Sequence, residues 1–147
     1  LLAEVAQEYA SIARESGLEI VVEASGTPPT VADPGLLRRA ITNLVVNAIK
    51  YAPDSGPLTL RAEAIGREIV LSVRDRGPGI VAGDQSHLFE KFYRGRMSTA
   101  DRAKGSGLGL AIVKSVADLH DGRVWFESVP GEGSAFYLAI PHKTYPS

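Results

Sequence analysis

The first residues of the chain carry apolar side chains at helical spacing. Leu2, Val5, Tyr9 and Ile12 follow one another at intervals of three or four, which predicts an amphipathic helix. Gly17 stands where a residue in the left-handed conformation would end that helix.

Two further segments have the same helical period. One begins at Asp33, a good N-cap residue, with Pro34 at the first helical position, and runs to about Tyr51 before Pro53 interrupts it. The other covers residues 108–119. The sequence therefore predicts three helices of ordinary length.

Alternating apolar and polar residues predict the strands between these helices. The predicted strands are 18–24, a short segment at 30–32, 58–64, 68–74, 123–129 and 134–140, with a hairpin turn at 65–67. In the last two strands, one member of each adjacent aromatic pair, Trp125–Phe126 and Phe136–Tyr137, should point inward and the other outward. Strands and helices do not alternate strictly, so we expect a mixed sheet with helices on one face.

The composition of the 147-residue chain narrows the possible classes of protein. A hydrophobic content of 44% is enough for the core of one domain, and a net charge of -1 gives no field that would favour nucleic acid. The absence of cysteine excludes disulfides and thiolate metal sites. No apolar run approaches the roughly 20 residues of a membrane span, and no signal-peptide pattern opens the chain. Because the chain begins inside a predicted helix, we interpret it as a fragment of a longer protein.

The predicted second helix has one polar and one apolar face. At 100° per residue, Asn43, Asn47 and Lys50 lie together, with Tyr51 slightly round the edge. The opposite side carries Leu37, Ile41, Leu44, Val45 and Ala48. An amide oxygen is a suitable ligand for Mg²⁺, and a lysine suits phosphate oxygens. A solvated helix face is the alternative interpretation.

Two glycine motifs offer further candidate chemistry. Asp75 ends a predicted strand before Gly77 and Gly79, and its carboxylate could accept a hydrogen bond from the exocyclic amine of adenine but would repel the guanine carbonyl. A polar strand end before a turn is the alternative. The second motif, 105–109, precedes a helix, where backbone N–H groups attract phosphate. A flexible linker that caps the helix is the alternative interpretation. It is neither a P-loop nor a dinucleotide-binding fingerprint.

A long irregular segment, 77–106, separates most of the predicted sheet from the third helix, with a helical turn predicted at 87–92. Cations outnumber acidic residues in it: Lys91, Arg94, Arg96, Arg102 and Lys104 against Asp84, Glu90 and Asp101. Because long loops inside compact domains are usually functional, we interpret it as a lid that Phe89 and Phe92 anchor to the core.

Four motifs in fixed order carry a family resemblance: NLVVNAIKY at 43–51, DRGPG at 75–79, LFEKFYR at 88–94 and GSGLGL at 105–110. They resemble the N, G1, F and G2 boxes of the catalytic ATP-binding domain of two-component sensor histidine kinases, in the GHKL superfamily. The resemblance implies an α+β fold of the Bergerat type, a two-layer sandwich. A mixed, mostly antiparallel sheet of about five strands would pack against about three helices. The whole chain, 1–147, would be one catalytic domain with an ATP lid at about 81–106.

The resemblance also implies site residues, ATP and Mg²⁺. Catalytic roles fall to Asn43, Asn47, Lys50 and Arg94, with Asn47 as the metal ligand. Nucleotide binding falls to Asn43, Asn47, Lys50, Tyr51, Asp75, Gly77, Gly79, Ile80, Phe89, Phe92, Lys104, Gly105, Ser106, Gly107, Leu108, Gly109 and Leu110.

What the chain lacks indicates which reaction to expect. His87, His120 and His142 do not stand in the sequence environment of the family's phosphorylated histidine, so the phosphoacceptor should lie elsewhere. ATPases of the same fold, such as the DNA gyrase B subunit and a heat-shock chaperone, have a Glu where this chain has Asn43. An amide cannot act as a general base, which disfavours an ATPase or an anti-sigma-like serine kinase. A non-catalytic nucleotide-binding regulatory module stays open.

The resemblance extends to partners and location. It implies a separate dimerisation domain that supplies the histidine and a response regulator that receives the phosphoryl group on aspartate. The fragment would be monomeric and its parent a homodimer, anchored in the bacterial plasma membrane with this domain in the cytoplasm. No nucleic-acid partner is expected.

Overall fold

The computed structural model describes residues 1–24, 32–80 and 108–142. The helices are α1 (Leu2–Glu15), α2 (Pro34–Tyr51) and α3 (Leu108–Leu119). The strands are β1 (Leu18–Ala24), β2 (Gly56–Ile65), β3 (Glu68–Asp75), β4 (Arg123–Val129) and β5 (Gly133–Pro141). None of the described helices is long and apolar enough to cross a membrane.

The five strands form one mixed sheet in the order β1-β2-β3-β5-β4. β1 runs parallel to β2, and the remaining neighbours are antiparallel. The three helices cover one face, which we call the inner face. The α+β sandwich of five strands and three helices expected from the sequence is thus confirmed.

The core lies between the inner face and the helices. Its fully buried side chains include Val5, Ile41, Leu44, Val45, Leu58, Leu60, Val73, Val113, Leu138 and Ile140. These side chains come from helices and strands in every described part of the chain. Burial of apolar area contributes roughly 25 cal/mol per Å², so this shared core holds the two layers together.

Local signals set the ends of the elements as predicted. Gly17 has a φ of 74°, the left-handed conformation that follows α1. The Asp33 carboxylate accepts a hydrogen bond from the Leu36 N–H at 3.0 Å and caps α2, with Pro34 at its first position. Gly66, with a φ of 60°, turns the chain between β2 and β3.

A few predicted elements differ from the structure or lie outside the described residues. β2 begins two residues before the predicted start, because Gly56 and Pro57 still pair with β1. Of the strand predicted at 30–32, only Ala32 is described, and it is not in a strand. The helical turn predicted at 87–92 lies outside the described residues.

The aromatic residues of β4 and β5 alternate as predicted. Phe126 and Phe136 form one pair with ring centroids 6.1 Å apart, and Phe136 packs on the core. Trp125 and Tyr137 stack on the opposite, outer face, with centroids 4.9 Å apart and an interplanar angle of 6°. The period of two along each strand separates the two pairs.

Candidate nucleotide-binding site

Asp75 is the last residue of β3, and its side chain is largely buried, with 9% of the residue exposed. Its carboxylate accepts a hydrogen bond from the Gly77 N–H at 2.8 Å. Burial raises the pKa of Asp75, while hydrogen bonds from the backbone N–H groups of Gly77 and Ser134 act against that rise. The carboxylate is therefore fixed by backbone donors, with no basic side chain among the causes of its shift. It retains capacity to accept a hydrogen bond from a ligand.

The turn after Asp75 is held by the hairpin of β4 and β5. The Ile80 N–H donates to the Ser128 hydroxyl at 2.7 Å, and the Gly131 N–H donates to the Pro78 carbonyl at 2.7 Å. These two bonds fasten residues 76–80, which follow the carboxylate, to the neighbouring strands.

Both predicted glycines of this turn stand where the backbone leaves no room for a side chain. A Cβ at Gly77 would lie 2.5 Å from the Cβ of Ala52, the residue that caps α2. A Cβ at Gly79 would lie 2.5 Å from the Val129 carbonyl oxygen, and Gly79 has a φ of 76°. Glycine thus lets the turn approach α2 on one side and β4 on the other.

The polar and apolar faces predicted for α2 are confirmed by the burial of its side chains. Leu37, Ile41, Leu44, Val45 and Ala48 are buried. On the other side, Asn43, Asn47 and Tyr51 are half-buried and Lys50 is exposed.

Asn43 has an unmatched donor. Its Nδ2 atom is buried and has no hydrogen-bond partner among the described residues. A buried N–H group left unpaired is destabilising by about 1–3 kcal/mol. An acceptor such as a phosphate or ribose oxygen would remove that penalty, so this group fits a ligand oxygen.

Only part of the predicted site lies in the described residues. The close approach of Gly77 to Ala52 brings the Asp75 turn to the end of α2, beside Lys50 and Tyr51. Leu108 and Gly109 form the start of α3, which packs beside α2, and Leu110 contacts the core. The other predicted members lie outside the described residues: Phe89, Phe92, Arg94, Lys104, Gly105, Ser106 and Gly107.

Sequence reasoning missed Ser128 and Ser134. Their hydroxyl oxygens are 3.1 Å apart, and the register pairs Ser134 with Asp75 on one side and with Ser128 on the other. Both serines lie in the strands predicted at 123–129 and 134–140, but their place beside Asp75 depends on the pairing of β5 with β3, which no sequence signal indicates.

The residues present also suit a metal ion that is bound together with phosphates. Asn47 offers a single neutral amide oxygen on the polar face of α2, one turn after Asn43. Mg²⁺ commonly takes few protein ligands and fills its other positions with water and phosphate oxygens. The donor set at α2 fits that pattern.

A comparison with protein families places most of the chain in one family. Residues 32–144 match the family described as histidine kinase-, DNA gyrase B- and HSP90-like ATPase. The chain belongs to this family and is an ATP-binding domain.

The individual relatives narrow the class. Sensor-like histidine kinase SenX3 of Mycobacterium tuberculosis is 39% identical over 141 residues, which cover 96% of this chain and 34% of SenX3. Full-length ShkA, solved in complex with AMPPNP, superposes with a TM-score of 0.84 at 33% identity, over 99% of this chain and 30% of ShkA. The mycobacterial sensor histidine kinase MprB gives a TM-score of 0.77 at 30% identity, over 98% of this chain and 97% of that structure.

These relatives identify the chain as a catalytic domain of the sensor histidine kinase type. It spans about a third of the length of the curated relatives that it matches.

Proposed function

We propose that this domain transfers the γ-phosphoryl group of ATP to a histidine in a separate dimerisation domain, for relay to a response-regulator aspartate. The observation that carries the proposal is the neutral amide of Asn43 on the site face of α2. A water or serine nucleophile needs a base to take its proton, which an amide cannot do. A neutral imidazole already has a nucleophilic lone pair. Its nitrogen would form the new bond to phosphorus while the bond to the bridging β–γ oxygen breaks and ADP leaves.

The described residues around Asp75 and along α2 have the following roles in this proposal. The Asp75 carboxylate accepts a hydrogen bond from the adenine amine, and Gly77, Gly79 and Ile80 line the base. The Asn43 amide N–H donates to a ligand oxygen, and Lys50 neutralises phosphate charge. The AMPPNP bound to ShkA supports a ligand of the ATP type.

We propose Mg²⁺ as the second cofactor, with the Asn47 side-chain oxygen as its protein ligand. Such an ion supplies positive charge that offsets the charge of the triphosphate during transfer. The protein's part is to hold the base at Asp75 and the phosphates beside α2, in a fixed relation to the incoming imidazole.

The predicted roles outside the described residues belong to the same proposal. Residues 81–106 would form the ATP lid of a single domain covering 1–147, with Phe89 and Phe92 as anchors and Arg94 and Lys104 facing the phosphates. Residues 105–110 would contact the phosphates where α3 begins. The family resemblance and the local excess of cations support these roles.

The described histidines support an acceptor outside this chain. His120 Nδ1 lies 2.8 Å from the Val116 carbonyl, and its Nε2 accepts the Asp33 N–H at 3.0 Å, so both ring nitrogens are engaged. That makes His120 a structural link between α3 and the start of α2. His142 follows β5, and its backbone N–H donates to the Arg67 carbonyl.

The wider setting is what the family resemblance implies, and it is proposed with the function. The parent would be a homodimeric sensor kinase of the bacterial plasma membrane with this domain in the cytoplasm. Its partners would be its own dimerisation domain and a response regulator, with no nucleic acid. The isolated chain would be monomeric.

The test is a phosphotransfer assay with labelled ATP. The chain alone should neither become labelled nor release phosphate at an appreciable rate. Addition of the parent's histidine-containing domain should give acid-labile phosphate on that domain, and a His→Gln version of it should stay unlabelled. Phosphate released by the chain alone would indicate an ATPase, acid-stable label a serine kinase, and no transfer to either protein a regulatory module. Each of these outcomes would contradict the proposal.

A further inference from the structure

Ser128 occupies a junction behind the candidate adenine site. It lies in β4, half-buried, and its hydroxyl contacts three groups, one in the turn after β3 and two at the start of β5. The hydroxyl oxygen lies 2.7 Å from the Ile80 nitrogen, 3.2 Å from the Gly133 carbonyl oxygen and 3.1 Å from the Ser134 hydroxyl oxygen.

One arrangement of hydrogens uses the full capacity of this hydroxyl. A serine hydroxyl donates once and accepts twice. If Ser128 donates to the Gly133 carbonyl, its two lone pairs accept the Ile80 N–H and the Ser134 O–H. The hydroxyl of Ser128 is then fully hydrogen-bonded, and the direction of the Ser134 hydrogen is fixed by it.

This junction joins the two supports of the Asp75 carboxylate. On one side, Ile80 ends the turn whose Gly77 N–H donates to Asp75. On the other side, Ser134 donates its backbone N–H to the same carboxylate. A single hydroxyl therefore couples the turn to the strand on either side of the acid.

The surrounding packing leaves the turn little other freedom. A Cβ at Gly133 would lie 2.3 Å from the Asp75 carbonyl oxygen, so β5 runs directly against the backbone of the acid. The Gly131 N–H holds the Pro78 carbonyl. Within this clamp, the Ser128 hydroxyl accepts the Ile80 N–H and holds that end of the turn.

We propose that Ser128 is a positioning residue for base recognition: its hydroxyl holds residues 75–80 in the geometry that lets Asp75 select adenine. This role rests on the proposed function of the Asp75 site. Ser128 itself need not touch the nucleotide, because its effect passes through Ile80 and Ser134.

The first experiment compares ADP and GDP binding by calorimetry in the 147-residue chain and in Ser128→Ala. Losing one hydrogen bond from the junction should weaken ADP binding about fivefold to tenfold and reduce the ADP-over-GDP ratio by a similar factor. Ser128→Cys has nearly the same shape but a weak hydrogen-bonding group, so it should behave like Ser128→Ala. Ser128→Thr keeps the hydroxyl and should restore the ratio.

Ser72→Ala is the matched control. Ser72 is a buried serine of β3 that lies on the outer face of the sheet and pairs with Tyr137 of β5 rather than with the Asp75 turn. It should leave the ADP-over-GDP ratio unchanged even if the protein becomes less stable. A reduced ratio in Ser72→Ala equal to that in Ser128→Ala would overturn the proposal, since general loosening would then explain both.

A second readout does not depend on nucleotide. The Ile80 amide should exchange with solvent more rapidly in Ser128→Ala and Ser128→Cys than in the native chain and Ser72→Ala. If Ser128→Ala showed faster exchange but an unchanged ADP-over-GDP ratio, the positioning role of Ser128 would be overturned, while the proposed function of the Asp75 site would stand. Failure of the native chain to bind ADP would instead contradict the proposed function, and the role of Ser128 would fall with it.

Discussion

The Asp75 site and the outer face of the sheet both carry charged side chains, but they satisfy them differently. On the outer face, Arg123 donates to both carboxylate oxygens of Glu68 at 2.9 and 3.1 Å and lies 4.4 Å from the centre of the Trp125 ring. Arg74 donates to the Tyr137 hydroxyl, which donates in turn to Glu127. At the site, Asp75 is held by backbone N–H groups, and the Nδ2 of Asn43 has no hydrogen-bond partner among the described residues.

The pKa shifts have opposite signs in the two regions. The hydrogen bond from Arg123 lowers the pKa of Glu68, and Glu68 raises that of Arg123. Burial raises the pKa of Asp75. The outer face thus stabilises its charges by pairing them, whereas the site keeps a charge at a cost in stability. Charged groups on the outer face are paired with other side chains. Polar groups that lack a side-chain partner are the better candidates for ligand binding.

The largest expected effect is the loss of adenine binding in Asp75→Ala. Removing a hydrogen bond to a charged group costs about 1.5–3 kcal/mol, so ADP affinity should fall about ten- to hundredfold, and the preference over GDP should disappear. Calorimetry measures both. Glu68→Ala removes a carboxylate from the outer face and should leave both unchanged. An equal loss of ADP affinity in Asp75→Ala and Glu68→Ala would contradict the distinction between a ligand-binding site and a paired outer face.

The next effect concerns the metal. In Asn47→Ala, Mg²⁺ should no longer strengthen binding of an ATP analogue as it does in the native chain, because the protein ligand is gone. Thr42→Ala is the control. Thr42 is a polar residue of the same helix, about 100° from Asn43 and about 140° from Asn47 around its axis, so this variant should still bind the ATP analogue more tightly with Mg²⁺. Titrations with and without Mg²⁺ make the comparison. The same response in the native chain and Asn47→Ala would place the ligand elsewhere.

A smaller effect is expected from the aromatic stack. Trp125→Ala removes the stacking partner of Tyr137, so we expect the free energy of unfolding to fall by about 1 kcal/mol. Urea denaturation gives that value. ADP affinity should stay within error of the native chain, and a marked loss of it would show that the outer face contributes to the site.

The smallest effects are the opposite pH dependences of the two acids. The pKa of Asp75 is raised on folding, so its charge reduces stability as the pH rises from the ordinary value of 3.8 through the raised pKa. Asp75→Asn should therefore be more stable than the native chain at neutral pH, and the difference should shrink in acid. The pKa of Glu68 is lowered from 4.5, so its contribution is present above that value and is lost as the pH falls through the lowered pKa. Glu68→Gln should be less stable at neutral pH and approach the native chain in acid.

Urea unfolding of both variants at neutral and acidic pH tests this pair of signs. Because the Glu68 side chain is partly exposed to solvent, its effect should also weaken at high salt, while the effect of Asp75 should persist. The same sign in both variants would contradict the contrast between a paired acid and a buried one.

Local features of the site could be predicted from the sequence because they depend on short spacings. The polar face of α2 follows from the helical period, and the place of Asp75 at a strand end follows from the glycines after it. The junction at Ser128 could not be predicted in this way. It joins residues 48 positions apart along the chain, and that contact depends on the insertion of β5 between β3 and β4.

The same limit applies to the sheet. A mixed sheet could be expected from the order of the elements, but the parallel pairing of β1 with β2 depends on how α2 packs over the inner face. The stack of Trp125 on Tyr137 likewise needs the register of β4 and β5, whereas its outward direction needs only the alternation along each strand.

The most direct test of the Asp75 site compares ADP with purine riboside diphosphate, which lacks the exocyclic amine, in the native chain and in Asp75→Ala. If Asp75 accepts a hydrogen bond from that amine, the native chain should bind the analogue about ten- to hundredfold more weakly than ADP. Asp75→Ala should bind the two alike, because the amine then has no partner to lose. Equal affinities in the native chain, or the same loss in both proteins, would contradict the central claim that Asp75 recognises adenine.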